Sequence, residues 1–240
     1  MFNFNKLEKL SANTLKIIAL ISMTLDHIGL FFGNILILRL LGRIAFPIFA
    51  FFISEGCFYT KNKTKHLLII LFFAVIYQIV YYYLYQKIYI SIFGTFSVSI
   101  ILIYVYDLYK NNFENKKKYL YLLLLVILLM ITFIVNIYVL FDYGFIGIIT
   151  PLCVYIFKSK KYKLIVLFIL CIALSAVNVR NNIGTEFEVL GYLSIFNILS
   201  IPLLMLYNGK RGKYNLKYFF YFYYPLHIVV KYLIYFLIIS

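Results

Sequence analysis

The stretch Leu15-Lys16-Ile17-Ile18-Ala19-Leu20-Ile21-Ser22-Met23-Thr24-Leu25-Asp26-His27-Ile28-Gly29-Leu30-Phe31-Phe32-Gly33 decides the fold. It has the length to cross hydrocarbon, which takes about 20 mostly apolar residues of helix. Yet an acid and an imidazole stand side by side near its centre. Ionisable groups at that depth are costly, so a span that keeps them reads as a functional site by default.

The rest of the chain extends the same reading. Apolar residues make up 65% of its 240 residues and charged ones 13%, against ~45–50% and ~25% in soluble domains. The expectation is an all-α, polytopic membrane protein forming one domain over residues 1–240, located in the cell membrane. Spans are expected near 15–33, 35–59, 66–85, 89–109, 119–139, 143–157, 164–179, 189–207 and 217–238, about nine in all. The weakest, 143–157, is short and holds Gly144, Gly147 and Pro151. Charge parity favours a true crossing over a re-entrant segment. The first span has no small-residue cleavage site, so it does not read as a cleaved signal peptide. Cys57, Cys153 and Cys171 lie scattered in apolar runs, with no metal-ligand spacing, and read as small hydrophobes.

A formal charge of +15 raises nucleic acid as a partner, but the distribution excludes it. Lys and Arg gather in the N-terminal arm (Lys6, Lys9, Lys16) and at alternate connections: Lys61 to Lys65, Lys110 to Lys118, Lys158 to Lys163, and Lys210 to Lys217. The other side holds only Arg39, Lys87 and Arg180. The positive-inside rule therefore puts the N-terminus in the cytoplasm.

Lys16 and His27 are eleven residues apart, about three full helical turns, so they share one face roughly 16 Å apart along the axis. Lys16 then sits at the cytoplasmic rim and His27 near mid-membrane. This suits a long substrate with an anionic end at the surface, although Lys16 also fits a snorkelling anchor. Asp26 and His27 point about 100° apart and need separate partners. Arg43 on the second span is the natural counter-ion for Asp26, in a site or in a purely structural pair. That leaves His27 to take a proton from a nucleophile.

Pro47 should bend the second span and free the carbonyl of Arg43. Glu55, near the cytoplasmic end, belongs either to the site or to solvent. His227 on the last span, beside Tyr223, Tyr224 and Pro225, falls near mid-depth and is either a second site residue or a packed core histidine. His66, next to Lys65, reads as interfacial. Asp142 and Lys231 sit on the outer side and are placed to pair or to snorkel. No phosphate-binding glycine loop, dinucleotide fingerprint, zinc cluster or nucleophile elbow is present in the sequence.

Several of these stretches, in this order, resemble the TraX family. They are Leu15-Lys16-Ile17-Ile18-Ala19 leading into Asp26-His27, Gly42-Arg43 with Ala45-Phe46-Pro47-Ile48-Phe49-Ala50, and Glu55-Gly56. Later come Leu206-Tyr207-Asn208-Gly209-Lys210-Arg211-Gly212 and Phe222-Tyr223-Tyr224-Pro225-Leu226-His227. The family is named for the conjugation protein that acetylates the N-terminus of F-type pilin. It is similar in turn to integral membrane acyltransferases whose first helix carries a Lys or Arg, ten residues, then a His, as Lys16 and His27 do. Their Phe-Phe-x-x-Ser-Gly-Phe stretch is only partly echoed by Phe51-Phe52-Ile53-Ser54-Glu55-Gly56, where Glu55 intrudes.

The resemblance implies an acyltransferase, most simply one taking acetyl-CoA from the cytoplasmic side, with membrane lipid around it. The acceptor would be a pilin-like peptide or an envelope glycan. Catalysis would rest on His27, Asp26, Arg43 and His227, and donor binding on Lys16, Glu55 and Tyr224. A covalent acetyl-His intermediate is an open variant. Two other classes remain at this stage: a transporter or proton-coupled permease, since buried Asp, His, Arg and Glu also build relays, and a non-enzymatic assembly factor for a surface appendage.

Overall fold

The computed structural model describes residues 8–185 and 188–239, with the side chains of Lys217, Lys231 and residues 235–239 left aside. Lys6 and the proposed pairing of Lys231 thus lie outside the described residues. The elements are all helical: α1 Ala12–Phe31, α2 Leu36–Gly42, α3 Ala45–Tyr59, α4 Lys63–Tyr85, α5 Ile92–Asn111, α6 Lys117–Tyr138, α7 Gly144–Ile156, α8 Lys160–Asn182, α9 Glu188–Leu193, α10 Ser200–Met205 and α11 Lys217–Ile239. A 3-10 stretch, Ser194–Leu199, joins α9 to α10. No strand forms among the described residues. Two isolated bridges link Leu10 with Tyr207 and Ile90 with Phe141.

Among the described residues, seven helical stretches, with α2–α3 and α9–α10 each counted as one, are long and apolar enough to cross a membrane. With 13 residues, α7 extends only about 20 Å and is shorter than hydrocarbon is thick. The chain is an all-α membrane protein. Its outer surfaces agree: on α6 Leu125 is buried, while Leu123, Met130, Ile131 and Phe133 are exposed. In water such a face would be a liability, but in lipid it meets its natural solvent.

The helices sort into two compact units, residues 1–52 with 157–220, and residues 53–156 with 221–240. In the first unit α1 packs on α2, and α8 on α9, the 3-10 stretch and α10. Its core includes Leu15, Ala19, Phe51, Leu167 and Leu204. In the second, α5 is central, touching α4, α6 and α7. Ile70, Phe73, Ile100, Leu102, Ile103 and Ile148 fill that core.

Pro47 acts as expected, one turn ahead of itself. A proline has no N–H and its ring crowds the carbonyl four residues earlier, which here is that of Arg43. The second span breaks there, into α2 ending at Gly42 and α3 starting at Ala45. The Arg43 amide turns to the Leu40 carbonyl (3.1 Å). Its side-chain Nε donates to the Arg39 carbonyl instead (3.1 Å). The carbonyls of Leu41 and Gly42 accept from Ser22 Oγ on α1, at 2.7 and 3.2 Å. The Leu41 and Gly42 carbonyls at the break thus have a side-chain donor, as a lipid-embedded chain favours.

Candidate active site

Asp26 is the hub of the first unit. Gly33 and Asn34, both with positive φ (81° and 60°), turn the chain from α1 back along α2. Glycine tolerates that backbone without penalty. The resulting hairpin is tight. A Cβ on Gly29 would stand 2.9 Å from Leu38 Cβ, and one on Gly42 would fall onto Asp26 Cβ and lie 2.7 Å from its Cγ. Small residues at both contacts let two helices carry their charged groups into reach of each other.

Within that hairpin Asp26 Oδ2 accepts from Arg39 Nη1 at 2.8 Å, and Oδ1 accepts from Arg43 Nη2. Arg39 Nη1 also reaches the Asp26 carbonyl (3.3 Å). The three side chains are only 11–18% exposed. Charge-assisted bonds of this kind are about twice as strong as neutral ones. The expected pairing of Asp26 with Arg43 is therefore present, but it is half of a triad. Arg39, counted from sequence among the outer loop charges, is instead buried in α2. The available signal was its spacing: Arg39 and Arg43 are four apart, so they share one face of α2.

His27 follows Asp26 on the same unbroken helix, half-buried, with its Nδ1 shielded from solvent. Because α1 runs from Ala12 to Phe31 without a break, Lys16 and His27 keep the shared face expected of them. Lys16 does more than snorkel. Its ammonium lies over the rings of Phe52 and Phe220, 5.1 and 5.8 Å from their centroids. Such cation–π seats hold a cation against the faces of aromatic rings.

The remaining expected site residues fall in the second unit. Glu55 is half-buried on α3. Tyr224 packs against Tyr77 and Phe93, with ring centroids at 5.1 and 4.9 Å. His227 stacks on Tyr223 (6.0 Å) and meets Tyr224 edge-on (5.1 Å). Its Nδ1 lies 3.3 Å from the Tyr223 carbonyl. These contacts match the packed-histidine alternative for His227. Ser54 is fully buried, and its Oγ has no hydrogen-bond partner among the described residues.

The second unit also holds polar groups that sequence reasoning passed over. Lys63 Nζ meets Asp107 Oδ2 at 2.5 Å, and the Tyr155 hydroxyl donates to Asp107 Oδ1 at 2.8 Å. His66 stands in the first turn of α4, the span end where it was expected, and it is also buried, with Nδ1 2.8 Å from the Tyr104 hydroxyl and its ring edge against Gly56. A position next to a lysine at a helix start gives no hint of a tyrosine 38 residues away.

Comparison with known proteins bears on these residues together. The family model described as TraX protein matches residues 11–235. An uncharacterized protein of Rickettsia prowazekii is 33% identical over 193 residues, covering 80% of this chain and 71% of that one. A probable fimbrial assembly protein of Dichelobacter nodosus, serogroup H1, is 44% identical over 73 residues, 28% of this chain and 30% of its own length. No solved structure matches. The chain belongs to the TraX family.

Proposed function

We propose that this TraX-family membrane protein is an acetyltransferase. It moves the acetyl group of acetyl-CoA to an amine or hydroxyl of a surface or exported acceptor, a pilin-like peptide or an envelope glycan. The observation that carries the reading is a single helix, α1, which holds Lys16 near one end and His27 far along the same face, beside a carboxylate clamped by Arg39 and Arg43. The family's link to conjugation and the fimbrial-assembly relative support a pilus-associated role. Within this reading the chain crosses the cell membrane about nine times with its N-terminus in the cytoplasm, so the donor enters at the Lys16 end.

The chemistry then runs as follows. His27 accepts a proton from the acceptor N–H or O–H as its N or O attacks the thioester carbonyl. The tetrahedral intermediate collapses by breaking the C–S bond, and the departing CoA thiolate takes the proton back from His27. Acetylated acceptor and free CoA result, with atoms and charge balanced. A positioned general base contributes about 10²–10⁴-fold. Asp26, Arg39 and Arg43 fix the face of α1 that carries His27. Their excess positive charge favours the developing oxyanion. Glu55, Tyr224 and His227 are secondary to this assignment.

One specific observation favours a second reading: the name of the Dichelobacter relative is that of an assembly protein, which fits a non-enzymatic factor. Purified protein in lipid nanodiscs, titrated with acetyl-CoA, separates the two. The acetyltransferase binds the donor saturably and releases free CoA when given acceptor. An assembly factor, or a permease for an unrelated solute, does neither.

A further inference from the structure

One segment is left unused by this mechanism: Tyr207-Asn208-Gly209-Lys210-Arg211-Gly212-Lys213, between α10 and α11. It contains three cations in four residues, all exposed, yet it is stitched to the start of α1 like a strand. Leu10 donates its amide to the Leu206 carbonyl (2.9 Å) and accepts from the Asn208 amide (2.9 Å). Ala12 and Asn13 donate to the carbonyls of Lys210 and Arg211, at 2.9 and 3.0 Å. Asn13 Nδ2 adds a bond to the Tyr214 carbonyl (2.6 Å). Gly212, at φ 103°, fits where a Cβ would meet Ser11 Oγ at 2.8 Å.

These bonds decide which parts are available to a ligand. A helix N-terminus with open amides is a ready anion site, but here the first amides of α1 are taken by loop carbonyls and by Ser11 Oγ, which accepts from Thr14 (3.2 Å). What the loop offers outward is side-chain charge. No carboxylate among the described residues pairs with Lys210, Arg211 or Lys213: Arg211 bonds the amide oxygen of Asn215, and Lys213 lies over Tyr214. Three unmatched cations on a braced loop repel one another, an arrangement that makes sense if an anion settles among them.

The loop also leads to Lys16. Tyr207 at its root is buried and packs edge-on against Phe52 (5.2 Å), the ring that seats the Lys16 ammonium. Lys160 grips the same root, donating to the carbonyls of Met205 and Tyr207 (2.9 and 2.6 Å) and to Glu8 (2.7 Å). Basic side chains are thus held near the start of α1 by backbone, aromatic and lysine contacts at once.

We propose that Lys210, Arg211 and Lys213 form the phosphate clamp for the nucleotide half of the acyl-CoA donor, with Lys16 next along toward His27. This deepens the acetyltransferase reading and rests on it. The ligand chemistry is a cluster of phosphates: a diphosphate plus a 3′-phosphate on one ribose.

The test measures binding of CoA, dephospho-CoA and pantetheine to full-length protein in neutral-lipid nanodiscs, for wild type and for the triple variant Lys210→Gln, Arg211→Gln, Lys213→Gln. Wild type should prefer CoA over pantetheine roughly a hundredfold or more, and the triple variant should lose most of that preference while its pantetheine affinity stays the same. A triple variant that keeps the full preference overturns the clamp while leaving the enzyme reading intact. Wild type that binds neither CoA nor acetyl-CoA overturns the enzyme reading itself. Nanodiscs with anionic lipid form the second arm: a variant that loses only its response to anionic lipid assigns these charges to headgroups and refutes the proposal. Should the triple variant melt early, the single variants decide, each expected to weaken CoA about tenfold.

Discussion

Replacing Asp26 with Asn removes one charge and leaves the shape. The structure makes the cost specific. The carboxylate serves two guanidiniums at once, and all three side chains are no more than 18% exposed. Breaking a buried pair by deleting one partner costs about 3–5 kcal/mol, because the other partner is left buried and uncompensated. With two such partners the upper part of that range applies, a large share of the ~5–15 kcal/mol that holds a typical protein together. The protein carries its own reporters, since Cys57 and Cys171 are each 2% exposed and react with a thiol dye only once the packing opens. Heating the detergent-solubilised protein with such a dye should show Asp26→Asn labelling about 10 °C or more below wild type, at ~2–4 °C per kcal/mol for a chain of this size. A double-mutant cycle sharpens the test: Arg39→Gln and Arg43→Gln should each cost less in the Asp26→Asn background than alone, because their partner is already gone. If Asp26→Asn melts within about 2 °C of wild type, less than the shift of a single kcal/mol, the triad does not hold the hairpin and the argument built on it fails.

Other perturbations follow from the same contacts. Gly42→Ala should destabilise as much as Asp26→Asn by pushing Asp26 off both arginines, and melting will show it, whereas Gly184→Ala, facing open space, should cost only its own backbone strain. His27→Gln should lower acetyl transfer about 10²–10⁴-fold with acetyl-CoA affinity unchanged, read by single-turnover assay and equilibrium binding. Tyr155→Phe removes one hydrogen bond to a carboxylate and should cost ~1.5–3 kcal/mol of stability without touching acetyl-CoA affinity. Lys16→Glu should weaken acetyl-CoA roughly ten- to hundredfold while lowering the melting point by only the few degrees that the lost contacts with Phe52 and Phe220 cost; unchanged affinity removes Lys16 from the donor path.

The helical order was legible because a membrane leaves the backbone few options: each long apolar run between charge clusters had to be helix. Asp26 was legible for the same reason, since an acid at that depth demands a cation. What stayed hidden depended on distant or local geometry. The Arg39 position near a span end looked like a flanking charge, and only the tight hairpin at Gly29 and Gly42 carries it to Asp26. The helix break at Arg43 was half visible, from Pro47, but its repair by Ser22 was not. His66 needed Tyr104, from another helix, to become buried. The docking of Asn208–Lys213 on α1 is made by backbone groups, which leave no side-chain pattern to read. His27 and His227, both named in the catalytic set that the resemblance implies, fall in separate units, and His227 has the contacts of a packed residue.

The central claim is that this chain moves an acetyl group with His27 at the reacting centre. Mass spectrometry of the cell envelope, compared among cells carrying wild type, no copy, and His27→Gln at equal membrane abundance, tests it most directly. The account predicts a species heavier by one acetyl group in wild-type cells only. The same acetylated species in all three strains, or in the His27→Gln strain as strongly as in wild type, would contradict it.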